Sequence, residues 1–214
     1  MCSSDLAQMA IGFNYSRDKL VGVQVGLANA SDDISGAQIG VLNFARLHDG
    51  LQVGAINMVR DHQGVPFGLV NYSRETGKAD WITYTSNLSL INTGVRTTVN
   101  RFYSMLTLGG YNIEEDVEDT AFLNWNFGYE IPLSDAWGLG LDLGYVHIMP
   151  KASSDPTVND RLHFATQARA LAEVRLSPKF TLFAGVGFSH IFSEYRSGAV
   201  SELKPLGVLG ISAF

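Results

Sequence analysis

From residue 87 to the C-terminus, apolar positions alternate with polar or small ones at a period of two, the pattern of β-strands with two unlike faces. Residues 137–145 set Trp137, Leu139, Leu141, Leu143 and Tyr145 on one face and Gly138, Gly140, Asp142 and Gly144 on the other. Residues 121–131 do the same, with Ala121, Leu123, Trp125, Phe127, Tyr129 and Ile131 against Phe122, Asn124, Asn126, Gly128 and Glu130. Seven such strands are predicted, at roughly 88–99, 101–111, 120–131, 136–148, 161–176, 179–193 and 205–214, and residues 9–16 supply an eighth. Connections alternate in length. Short turns fall at Val99-Asn100, Pro132–Asp135 and Ser177-Pro178, and longer polar loops at 112–119, 149–160 and 194–204. Short periplasmic turns alternating with long extracellular loops are the pattern of an outer-membrane barrel. The same parity puts the connection from 17 to 87 on the outward side.

That connection carries a second pattern. Gly12, Gly26, Gly40, Gly54 and Gly68 stand fourteen residues apart, the last four inside near-copies of one octapeptide such as Gly-Ala-Gln-Ile-Gly-Val-Leu-Asn (36–43) and Gly-Leu-Gln-Val-Gly-Ala-Ile-Asn (50–57). A fixed short period means units that bury a face only against their neighbours. Stacked as coils of a β-solenoid, they would place Gln24, Gln38 and Gln52 in one ladder and Asn29, Asn43, Asn57 and Asn71 in another, with Pro66 ending the first. Arg46, Arg60 and Arg74 fall in register in the linkers. Read instead as one antiparallel strand each, the units would enlarge the barrel from eight strands to twelve. The domains expected are therefore a leader remnant at 1–8, a first barrel strand at 9–16, a surface repeat segment at 17–87 with its units at 21–72, and the remaining barrel strands at 88–214.

Composition narrows the classes. A net charge of −6 and a pI near 5.3 lack the basic face a nucleic-acid partner requires. The single cysteine, Cys2, excludes an internal disulfide. No run of apolar residues is long enough for a spanning helix, so a membrane-spanning form of this chain has to be a closed barrel. Phe214 closes the last segment after Leu206, Val208 and Leu209, like the terminal aromatic of outer-membrane assembly signals, although Ser212 stands where such signals are apolar.

The octapeptides resemble the Gly-Leu-Gln-Ile-Gly-Leu-x-Asn surface repeat of predicted outer-membrane proteins of spirochaetes and some other bacteria. Residues 21–72 carry the resemblance, and the run Asn100-Arg101-Phe102-Tyr103-Ser104-Met105 is similar to the accompanying barrel portion. The resemblance implies an envelope location and brings no catalytic or binding residues.

Candidate chemistry is sparse. Arg96, Glu130, Asp142, Arg169, Glu173 and Arg175 fall on the lumen face, where opposed charges pair into a plug. Ser189-His190-Ile191-Phe192-Ser193-Glu194 gathers a histidine, hydroxyls and a carboxylate as a hydrolase would, but His190 and Ser193 point to opposite faces of a regular strand. His48 and His62, flanked by Asp49 and Asp61 in the linkers, supply too few ligands for a metal, and 114–119 read as a solvated acidic loop.

The expectation is an all-β outer-membrane protein: an eight-stranded antiparallel transmembrane barrel, or twelve strands in the enlarged form, with a fourteen-residue repeat. It would act as a monomeric structural or adhesin-like display scaffold in outer-membrane lipid. No catalytic residues, cofactor or metal are assigned, and a surface protein or peptide is the expected partner. The alternatives are a lipid-modifying hydrolase using His190 and, with twelve strands, a small-solute channel.

Overall fold

The computed structural model describes residues 4–111, 120–149, 163–195 and 198–214. The described residues form thirteen β-strands and no helix, divided between a five-stranded parallel sheet and a closed eight-stranded antiparallel barrel. The chain falls into two compact units.

The first unit holds β1 (Ser4–Met9), β2 (Phe13–Val25), β3 (Ala28–Ile39), β4 (Leu42–His62) and β5 (Val65–Ser73), hydrogen-bonded in chain order. All four pairings are parallel, and from β3 onward each residue meets the one fourteen positions later, as Asn29 meets Asn43 and Gln38 meets Gln52. Parallel neighbours in unbroken sequence order, at a spacing too short for a crossover helix, are coils of a narrow β-solenoid. β4 runs through more than one coil, and Gln63 N, just past its end, donates to His48 O at 2.8 Å in the preceding winding. Corners are made by glycine. Gly22, Gly36 and Gly50 are stacked in register at φ of 146°, 145° and 132°. A side chain at Gly36 would be strained by that φ, and its β-carbon would overlap the Gly22 carbonyl below.

The fourteen-residue period therefore encodes the solenoid, and three expectations about it change. Within the segment 1–8 expected as a leader remnant, Ser4 onward belongs to the first strand of the stack, Ser4–Met9, and Gln8 joins the glutamine ladder. Residues 9–16 are not a barrel strand, because Phe13–Ser16 pairs in parallel with Ala28–Ser31. The repeats are not barrel strands either, which removes the twelve-stranded form.

The second unit is built on β6 (Gly77–Ser86), β7 (Ser89–Val99), β8 (Phe102–Tyr111), β9 (Thr120–Pro132), β10 (Trp137–Met149), β11 (His163–Ser177), β12 (Phe180–Tyr195) and β13 (Gly198–Ala213). Each pairs antiparallel with the next, and β13 returns to β6 to close the ring. The strand that closes the barrel is thus 77–86. β6 begins at the end of the barrel that carries the turns at Asn100-Arg101, 133–136 and 178–179, and the Asn87-Leu88 turn stands at the opposite end. The expected loop at 194–204 also contracts, since β12 and β13 pair as far as Tyr195 and Gly198.

The β7–β8 turn, Thr97–Ser104, belongs to the solenoid's unit. Asn100 takes φ 57°, a left-handed position that asparagine tolerates, and its Nδ2 donates to His62 O at 2.7 Å.

Candidate functional site

Three clusters gather the residues with chemical potential, and the barrel lumen holds the first. Alternation along the strands turns Arg96, Glu130, Asp142, Arg169 and Glu173 inward, as the sequence pattern predicts. Arg169 embraces Asp142, with Nε at 2.8 Å from Oδ1 and Nη2 at 3.0 Å from Oδ2, and both side chains are almost fully buried. Asn126 Nδ2 donates to the same carboxylate at 3.1 Å, and the Arg169 guanidinium lies 5.6 Å from the centre of the Tyr84 ring. A second knot joins Arg96 to Glu173 at 2.7 Å and to Glu130 at 3.3 Å, with Arg175 reaching Glu130 from the rim at 3.3 Å. Each buried charge thus has an opposite charge, the condition for holding ions away from water. The cavity beside Tyr84, Asn92, Phe122 and Arg169 has a volume of about 10 Å³, which is at most the room of one water. The described side chains fill the lumen at this level.

The second cluster is the proposed hydrolase constellation. The strand alternates as expected, so His190 stands on the outward face with its ring 4.1 Å from that of Phe192, while Ser189 is buried on the inward face. Ser193 is directly across from His163 and bonds its Nδ1 at 3.0 Å. The histidine that meets a serine is therefore His163, a residue that motif reading passed over because thirty positions separate it from Ser193. The side chain of Glu194 and the acidic run 114–119 lie outside the described residues. The pairing of Ser193 with His163 thus joins two adjacent strands, while His190 and Ser189 point to opposite faces of β12.

The third cluster lies inside the solenoid, and it is polar. Asn14, Asn29, Asn43, Asn57 and Asn71 form one ladder, each Nδ2 donating to the Oδ1 of the next at 2.7–2.9 Å. Each of the first four also donates to a strand carbonyl, as Asn43 does to Val53 O at 2.9 Å. Ser104 of the β7–β8 turn ends this ladder, accepting from Asn71 at 2.8 Å. The glutamine ladder runs from Gln52 through Gln38 and Gln24 to Gln8 at 2.7–2.8 Å. Pro66 occupies the next rung, as the sequence predicts, and Gln52 Oε1 is left without a partner.

His48 and His62 continue a buried stack that begins with Leu20 and Ile34, in place of the exposed linker position expected for them. Their rings lie 4.9 Å apart, and neither nitrogen of His48 has a hydrogen-bond partner; His62 Nδ1 accepts from Gly64 N at 2.8 Å. Burial, then the neighbouring His62, lowers His48 to about 3. Burial lowers His62 to about 4 against the opposing pull of Asp61 and Asp49. Both rings are neutral near pH 7 and serve as packing. Among the described residues no group of three or more histidine, cysteine or acidic side chains is placed to hold a metal ion.

Compared with family models, curated proteins and solved structures, the chain matches none.

Proposed function

We propose that the protein is an outer-membrane scaffold in which the barrel is the anchor and the stacked repeat is the contact surface, with no catalytic step. The observation that carries this reading is the belt on the outside of the barrel. On β10, Trp137 and Tyr145 stand eight positions apart on the outward face with Leu139, Leu141 and Leu143 between them. At ~3.3 Å per residue and a tilt of ~40°, that separation is about 20 Å along the barrel axis, close to the apolar band of an outer-membrane barrel. Leu143 and Val186, on neighbouring parts of the belt, are each 70% exposed, a cost in water that lipid removes. Rings cluster toward both margins. Tyr145, Phe164 and Phe192 stack at one margin, with centroids 5.9 and 4.8 Å apart, and Trp81, Trp137 and Phe180 lie toward the other. The paired charges of the lumen support an anchor over a channel.

Connectivity supports a side for the repeat. In outer-membrane barrels the short turns face the periplasm. A chain that enters the barrel at its short-turn end has its repeat in the periplasm, so the partner is sought among envelope components there and not outside the cell.

The test is a gel of detergent-extracted protein run boiled and unboiled, beside protease treatment of intact and permeabilised cells. The unboiled protein should migrate faster, and the repeat should be cut only after permeabilisation. Recovery without detergent and with no shift on boiling would remove the membrane reading; cleavage of the repeat in intact cells would restore a surface position for it.

A further inference from the structure

The solenoid's interior is lined by amide ladders and by the stack of Leu20, Ile34, His48 and His62, and the octapeptides turn further apolar side chains outward. Leu27, Val41 and Leu69 mark one corner and Phe44, Met58 and Tyr72 the adjoining row, all between 39% and 58% exposed. With coils ~4.8 Å apart and an arc of about eight residues, this face covers roughly 400 Å², the size at which an exposed apolar patch signals an interaction. The charged side chains are confined to the remaining ridge, where Arg46, Arg60 and Arg74 border the row of Phe44, Met58 and Tyr72.

We propose that this apolar face is a lipid-contacting surface, which seats the repeat against the acyl chains at the periplasmic interface of the outer membrane. The inference rests on the outer-membrane reading of the barrel. Three observations choose lipid as the occupant. The solenoid, like the barrel strands, carries large apolar side chains on its outward face, beside an interior that mixes polar groups with apolar ones such as Leu20 and Ile34 in the solenoid and Ile82 and Leu171 in the barrel. The link to the barrel is short: only Arg74, Glu75 and Thr76 separate β5 from β6, so Ser73 stays within about 14 Å of Gly77. The arginines beside the apolar face can reach headgroup phosphates while their stems lie on the apolar surface, the arrangement of interfacial elements.

The experiment uses the full chain in nanodiscs, with Cys2→Ser and single cysteines carrying an environment-sensitive fluorophore. Val41→Cys and Met58→Cys report on the apolar face, Asp49→Cys and Gln63→Cys on the charged ridge, and Val186→Cys on the outside of the barrel. Phospholipids brominated on their acyl chains quench from the hydrocarbon side, and iodide quenches from water. The expected result is that brominated lipid quenches V41C and M58C nearly as strongly as V186C, at least three-fold more than D49C and Q63C, with iodide giving the reverse order. Iodide quenching of V41C and M58C equal to that of the ridge overturns the proposal, as does protection from both quenchers, which would mean that a protein or a second copy covers the face. Failure of brominated lipid to quench V186C would instead remove the membrane reading of the barrel itself, so the two failures are distinct.

Discussion

His48 and His62 occupy positions that Leu20 and Ile34, respectively, fill two coils earlier, so the stack needs a compact side chain there and not a charge. With both pKa values held below the ordinary 6.5, at about 3 and about 4, the unfolded repeat binds more protons than the folded one whenever the pH is under 6.5. The stabilisation is therefore complete above pH 6.5 and is lost as the pH falls toward the folded values. At pH 5, about 1.5 units below 6.5, the loss is ~2 kcal/mol for each histidine. His48→Leu with His62→Leu should flatten this dependence, read as hydrogen-exchange protection of the repeat between pH 7.5 and 5; a variant as acid-sensitive as the parent would place the sensitivity elsewhere. Sequence alone assigned these histidines to exposed linkers because their neighbours Asp49, Arg60 and Asp61 are charged. Burial here alternates within a linker, and a period of fourteen does not say which linker positions turn inward.

At the scale of elements, the asparagine ladder replaces an apolar core. Asn43 donates to Asn57 and Val53 and accepts from Asn29, so Asn43→Ala removes three hydrogen bonds and leaves buried partners unpaired. Each orphaned group costs about 1–3 kcal/mol. Protection of 28–57 should fall by at least 3 kcal/mol while the boiled-to-unboiled gel shift is unchanged; loss of the shift as well would mean that the ladder supports the barrel. The ladders could be read in advance because identical side chains recur at one spacing. The barrel strands from β9 to β12 could be read because glycine, asparagine and charge alternate with leucine and aromatics. β6 could not. It turns Ile82 and Tyr84 inward and Thr83 and Thr85 toward the other face, the reverse of the expected polarity, whereas 9–16 imitates a barrel strand with Phe13 and Tyr15 flanking Asn14. The polar stretch at 194–204 carries a loop-like pattern for a related reason: backbone pairing of β12 with β13 continues beyond the apolar belt, where no pattern of side chains is required.

The choice of first barrel strand propagates to the whole molecule. Exchanging 9–16 for 77–86 keeps eight strands and an antiparallel ring, yet it changes the end at which the chain enters the barrel. Strand number is thus robust to a local misreading, and sidedness is not, because it depends on the parity of a single assignment.

The missing rung at Pro66 gives the stack a direction of growth. A unit inserted above it finds an amide donor on one side and an acceptor on the other, so a copy of residues 36–49 placed between Asp49 and Gly50 should add one coil and leave the thermal midpoint unchanged or higher. A copy of residues 59–72 placed after Tyr72 would set proline on proline, with neither a ring N–H nor a side-chain amide to continue the ladder, and should lower it. Duplication and deletion at the level of the gene would then be filtered by position: copy number free to drift on the N-terminal side, and a junction to the barrel held at constant length.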